Sequence, residues 1–102
     1  MILSKTSIKQ LRAEAHRLKL KPVVMIGQNG LTDNVHMEID NALSHHELVK
    51  IRLPGLESGD KKTMIDTIAD RHDAAVIQAI GHVAVFYRRN RESDRFARLI
   101  RD

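Results

Sequence analysis

Cysteine is absent from the 102 residues, which excludes disulfides, thiolate-held zinc or iron–sulfur clusters and any thiol nucleophile. Proline and glycine are sparse, at two and five, so no Pro-rich linker or flexible low-complexity segment divides the chain. The aromatics are Phe86, Tyr87 and Phe96, with no tryptophan. They are too few for a sheet surface that recognises RNA by stacking several bases. The most apolar stretch, residues 74–87, contains Gln78, Gly81 and His82 and falls short of the roughly 20 residues that a membrane helix needs. The apolar run at the N-terminus stops at Leu3, with no small-residue cleavage site behind it. The expectation is therefore a soluble, cytoplasmic protein without a signal peptide and without a membrane partner.

What is present fits one compact domain, with 42% of residues hydrophobic. A domain of this length buries roughly two-thirds of the surface of its unfolded chain, so it needs no staples. Lysine and arginine total 17 against 13 acids, a net charge of +4. The excess sits at the front, where Lys5, Lys9, Arg12, Arg17, Lys19 and Lys21 face the single acid Glu14 before residue 31. Such a balance favours polyanionic partners.

Apolar residues at Ile8, Leu11, Ala15 and Leu18 predict a first helix over residues 4–18, with Ser7 and Gln10 as its capping box. The run PVVMI, residues 22–26, predicts a strand buried on both faces. Thr32 is the expected N-cap of a second helix that buries Val35, Ile39, Ala42 and Leu43. In LVKIRL, residues 48–53, alternation sends Val49, Ile51 and Leu53 to one face and Leu48, Lys50 and Arg52 to the other. Asp60 is placed to cap a third helix with Met64, Ile65, Ile68 and Ala69 inward. Residues 75–80 and 83–88 then form a hairpin about Gly81-His82. The order αβαβαββ predicts a two-layer α/β fold with a mixed four-stranded sheet, helices mainly on one face and the second face open.

The most informative local feature is Gly27-Gln28-Asn29-Gly30, a G-x-x-G loop between a strand and a helix start. Such a loop can turn its N–H groups toward a phosphate beside the positive helix end, as the same pattern does on nucleotide backbones in KH domains. Two glycines beside Asn fit a tight turn equally well. The loop is neither a Walker loop nor a dinucleotide fingerprint, so no nucleotide cofactor is expected. Lys5, Lys9, Arg12, His16 and Lys19 fall on one stripe of the first helix, and Lys21 follows it. Lys50 and Arg52 form a cluster on the open face, with Arg88 at the end of the last strand as a possible third member. Each cluster also reads as a solvated surface or, on a strand, as protection of a sheet edge.

Six histidines invite a metal site, but His45-His46-Glu47 and His36 with Asp40 lack a third ligand at a characteristic spacing, so none is expected. No nucleophile elbow or paired carboxylates emerge, so neither an enzyme nor a small-molecule substrate is expected. From Arg88 on, arginines dominate, with Arg88, Arg91, Arg95 and Arg98 suiting one stripe of a helix and Phe96, Leu99 and Ile100 another, and a solvated helix is the default. This tail could dock on the domain, bind RNA or meet a partner.

The stretches LRAEAHRLKLKPVVMIGQNGLTDNV, HMEIDNALSHHELVKIRL and VIQAIGHVAVFYR carry K-P-V-V-x-x-G-x-x-G-L-T, H-E-L-V-K and G-x-x-x-V-x-Y-R. In this combination the chain resembles the CRM domain family, named for chloroplast RNA splicing and ribosome maturation, and within it the stand-alone bacterial, YhbY-like form. The resemblance covers residues 4–88. It implies an RNA-binding domain of αβαβαββ order, similar to the C-terminal domain of bacterial translation initiation factor three. Its implied partner is RNA, in the bacterial form ribosomal RNA of large-subunit precursors. Carried over by position, it places the loop motif on Gly27, Gln28, Asn29 and Gly30 and the basic surface on Lys19, Lys21, Lys50 and Arg52.

The resulting expectation is a monomeric, non-enzymatic RNA-binding protein, with one domain over residues 1–88 and an arginine-rich, helical tail over 89–102. Its contacts would be the G-x-x-G loop with Lys9, Arg12, Lys19, Lys21, Lys50, Arg52 and Arg88. A protein-interaction module using the open face or the tail is the alternative. Duplex DNA binding is disfavoured because no recognition helix is evident.

Overall fold

The computed structural model describes residues 2–101. Its elements are α1 (Lys5–Arg17), β1 (Pro22–Met25), α2 (Asp33–His46), β2 (Leu48–Arg52), α3 (Ser58–His72), β3 (Ala75–Ile80) and β4 (Val83–Tyr87). The order αβαβαββ is the one expected from the sequence. The sheet runs β1-β2-β4-β3, with β1 and β2 parallel and β4 antiparallel to both of its neighbours. Gly81 turns the β3–β4 hairpin at φ +57, where glycine avoids the Cβ penalty.

The crossover helices α2 and α3 share one face of the sheet, as the alternation in β2 requires. Ile39, Leu43, Ile65 and Ile68 meet Val24, Val49, Ile51, Leu53, Ala84 and Phe86 there. Burying each large aliphatic side chain contributes roughly 1.5–3 kcal/mol. The opposite face is only half open. Leu11 and Ala15 of α1 pack with Leu48, Ala75, Ile77, Val85 and Tyr87, and Phe96, Leu99 and Ile100 of the tail join them. This second core lies over β3 and β4, so β1 is an edge strand with Val23 and Met25 exposed, not a strand buried on both sides.

Local signals account for most helix ends. The hydroxyl of Ser4, one turn before the expected Ser7, caps α1 by accepting from the Ser7 N–H at 3.1 Å. Thr32 caps α2 as expected, accepting from the Val35 N–H at 3.2 Å. Helix α3 starts after Glu57 without a side-chain cap, and Asp60 lies in its first turn, favourable to the helix dipole. Where the sequence suggested a helical tail, the structure has one 3-10 turn, Ala97–Leu99.

Candidate nucleic-acid interface

The uncovered half of the sheet face runs along β1 and β2 and has a glycine loop at one end. The Ile26 N–H donates to the Arg52 carbonyl at 2.9 Å, which carries the β1–β2 pairing to the edge of the loop. The loop closes through the Gly30 N–H on the Gly27 carbonyl, 3.0 Å, and the Thr32 N–H on the Gly30 carbonyl, 3.0 Å. Among the described residues no carbonyl accepts from the N–H groups of Gln28 or Asn29. Both residues are exposed beside the N-terminus of α2, where the helix adds partial positive charge.

The loop's glycines differ in kind. Gly30 stands at φ +72, so the backbone itself favours glycine there. Gly27 lies outside the left-handed region, and a Cβ built on it would meet nothing within 4 Å. The fold places no demand on Gly27, which leaves its bare backbone open to close approach by a ligand.

Side chains along the open strip are basic or apolar. Lys50 stands opposite Pro22 and Arg52 opposite Met25 in the β1–β2 register. At the loop end Arg52 lines a shallow depression with Gly27, Gln28, Pro54, Gly55 and His82. At the other end Lys19, Lys21, Val23, His46, Lys50 and Arg95 line a second depression. Among the described residues no acid lines either one. Among the described residues, Lys19, Lys21, Lys50 and Arg52 have no carboxylate within ion-pair distance. Positive potential there is uncompensated, which is what a run of phosphates requires.

The other expected contacts fall elsewhere. Arg12 of α1 reaches the edge of β3, donating to the Ile77 carbonyl at 3.3 and 3.4 Å, and Lys9 lies one turn before it. Both therefore belong to the β3 side, away from the glycine loop. Arg88 does not join Lys50 and Arg52. Tyr87 packs under α1 and the tail, so alternation turns the next residue toward α2 and α3. There its guanidinium donates to Asp40 at 2.8 and 3.1 Å, Ser44 at 2.9 Å and the His72 carbonyl at 3.3 Å.

Beside that contact, His36 and His72 form a buried pair, with Nδ1 of one 2.9 Å from Nε2 of the other. A hydrogen bond between them requires one ring to accept, and hence to be neutral. Burial and the Arg71 charge hold His36 below its ordinary 6.5, and burial with His36 and Arg88 does so for His72. Asp33 and Asp40 oppose these shifts weakly. Among the described residues no three His, Asp or Glu side chains converge to hold a metal ion, and no helix is long and apolar enough to cross a membrane.

A family model of the CRS1 / YhbY (CRM) domain matches residues 3–88. The chain belongs to the CRM domain family. A Haemophilus influenzae relative named as an RNA-binding protein is 46% identical over 81% of this chain and 82% of its own. A Pseudomonas aeruginosa relative, named as a probable RNA-binding protein, is 36% identical over 88% of this chain and 85% of its own. The solution structure of a Staphylococcus aureus protein described as a candidate RNA binder superposes with TM-score 0.75 at 29% identity. It covers 87% of this chain and 91% of that one.

The glycine loop and Lys19, Lys21, Lys50 and Arg52 all lie within the CRM match, whereas Arg95 lies beyond it. Sequence reasoning put Arg95 on an arginine stripe of a tail that could bind RNA without naming it among the contacts, and it did not single out His46, His82 or the Pro54-Gly55 turn as contacts. The placement of Arg95 depends on Glu47, a fully buried residue 48 positions away, and no local pattern announces such a contact.

Proposed function

We propose that this CRM-domain protein is a non-enzymatic RNA-binding protein that holds ribosomal RNA of large-subunit precursors during ribosome maturation. The contacts are to phosphates, from Gly27, Gln28, Asn29 and Gly30 at one end of a strip and from Lys19, Lys21, Lys50 and Arg52 along it. The observation that carries this reading is Gly27, a glycine that the fold does not require, at the head of a strip that no acid among the described residues lines. The names of the relatives support RNA as the ligand, and the family resemblance supports the ribosomal target. Lys9, Arg12 and Arg88 are at most peripheral, because two of them already serve the fold.

The test is a titration of the full chain with a structured large-subunit rRNA fragment and an equal-length DNA duplex across a salt series. Preference for the RNA, with affinity falling steeply as salt rises, is the expected result. Gly27→Val should weaken binding at least several-fold while the melting temperature stays unchanged. Equal affinity of variant and parent removes the loop from the interface. A second reading, a protein-interaction surface, is favoured by the exposure of Val23 and Met25, 50% and 70%. Absence of RNA binding at physiological salt would put it first.

A further inference from the structure

The tail beyond the CRM match is bound into the fold by charge and by packing. The Glu47 carboxylate, fully buried, accepts from the Asn90 N–H at 3.2 Å, the Ser93 hydroxyl at 2.7 Å and the Arg95 N–H at 3.0 Å. The next residue, Phe96, packs edge-on against Tyr87 with ring centroids 6.1 Å apart. Residue 95 is thus fixed from both sides. Arg88, Arg89 and Arg98 are engaged by Asp40, Asp94 and Glu14 at 2.6–2.8 Å. Arg95 differs: its Nε is 4.0 Å from Glu47, its side chain is 58% exposed, and it lines the depression with Lys19, Lys21 and Lys50.

We propose that the tail completes the interface, with Arg95, Lys19, Lys21 and Lys50 forming a second phosphate subsite at the opposite end of β1 from the glycine loop. The inference rests on the RNA-binding reading and extends it to residues outside the CRM domain. The strand Pro22–Met25 separates Lys21 from Gly27, and its four residues alone span roughly 13 Å at the rise of a strand. One phosphate cannot occupy both ends, so the subsites take separate phosphates of one RNA. Glu47 acts as a positioning residue. Its hydrogen bonds run to the Arg95 backbone and leave the guanidinium for the ligand.

The experiment compares the full chain with Arg95→Ala, Arg95→Lys and Arg91→Ala in the same rRNA titration across salt. Arg91 is an exposed tail arginine outside the depression, so its removal controls for net charge. Arg95→Ala should lower affinity across RNA sequences and reduce the slope of log affinity against log salt by about 1. Arg95→Lys should keep the slope, and Arg91→Ala should change it little. Unchanged binding by Arg95→Ala, in a chain that binds RNA and responds to Gly27→Val, overturns the tail subsite and leaves the RNA reading standing. Equal losses in Arg91→Ala and Arg95→Ala also overturn it, since net charge alone would then be at work. A parent chain that binds no RNA removes the functional reading, and the subsite with it.

Discussion

Lys19 holds φ +52 directly after the C-cap of α1, a position that glycine usually fills. The Lys19 N–H bonds the His16 carbonyl at 3.1 Å and the Leu20 N–H bonds the Ala15 carbonyl at 3.3 Å, the paired closure of a Schellman motif. A side chain in the left-handed region costs about 1 kcal/mol. The fold gives no reason for a lysine there, but the basic depression does, because it gains an unpaired ammonium. Lys19→Gly should therefore raise the unfolding free energy by up to about 1 kcal/mol and weaken RNA binding, with a shallower salt dependence. Chemical denaturation and the salt titration read the opposing changes on one protein. Weaker binding without a gain in stability would mean that Lys19 is unstrained. At this scale the sequence showed that Lys19 is basic and Gly27 and Gly30 are glycines, but not which of them the backbone needs. Backbone angles at Lys19 and Gly30 and open space at Gly27 make that distinction, and residue type does not carry it.

Among the elements, the tail is where pattern and structure diverge most. Phe96, Leu99 and Ile100 have helical spacing, yet they pack from an irregular strap because Glu47 captures the backbone at Asn90 and Arg95. By contrast, the alternation in β2 placed Val49, Ile51 and Leu53 correctly, since each β residue has only two faces to choose between. The apolar stripe of α1 gave the helix but not the side of the sheet it covers, which only the tertiary fold decides. Glu47 bears the cost of the strap. Its φ of +64 is uncommon for a residue with a Cβ, and its buried charge is tolerable because three donors surround it. Glu47→Gln replaces an acceptor with an NH2 group that faces donors, and should cost about 1–3 kcal/mol of stability. Amide exchange should accelerate at residues 90 and 95 well before it does in β2 and β4. Uniform acceleration across the sheet would show that the strap and the sheet unfold as one unit.

At the scale of the whole molecule, stability should fall with acid in two separate stages, because two sets of groups on opposite faces of the sheet titrate away from their ordinary values. His36 and His72 stay neutral below 6.5 through burial and the nearby Arg71 and Arg88. Between 6.5 and their lowered values the unfolded chain binds protons that the folded chain refuses, so stability declines as pH falls through that window and is complete above it. On the other face, the Arg17 and Arg98 guanidinium groups bring the Glu14 carboxyl from 4.5 to about 2. Its contribution is complete above 4.5 and disappears as pH falls toward 2, releasing the Arg98 anchor of the tail. Melting temperatures measured from pH 8 to pH 3 should therefore begin to drop near pH 6.5 and drop again below pH 4.5. Replacing His36 and His72 together with Gln should flatten the first decline and keep the second, whereas Glu14→Gln should keep the first and only reduce the second, because Asp94, held low by its hydrogen bond from Arg89, contributes there too. A parent melting temperature that is constant from pH 8 to pH 5 would mean that the imidazole pair accepts protons freely, and that α2 and α3 do not shield it from water.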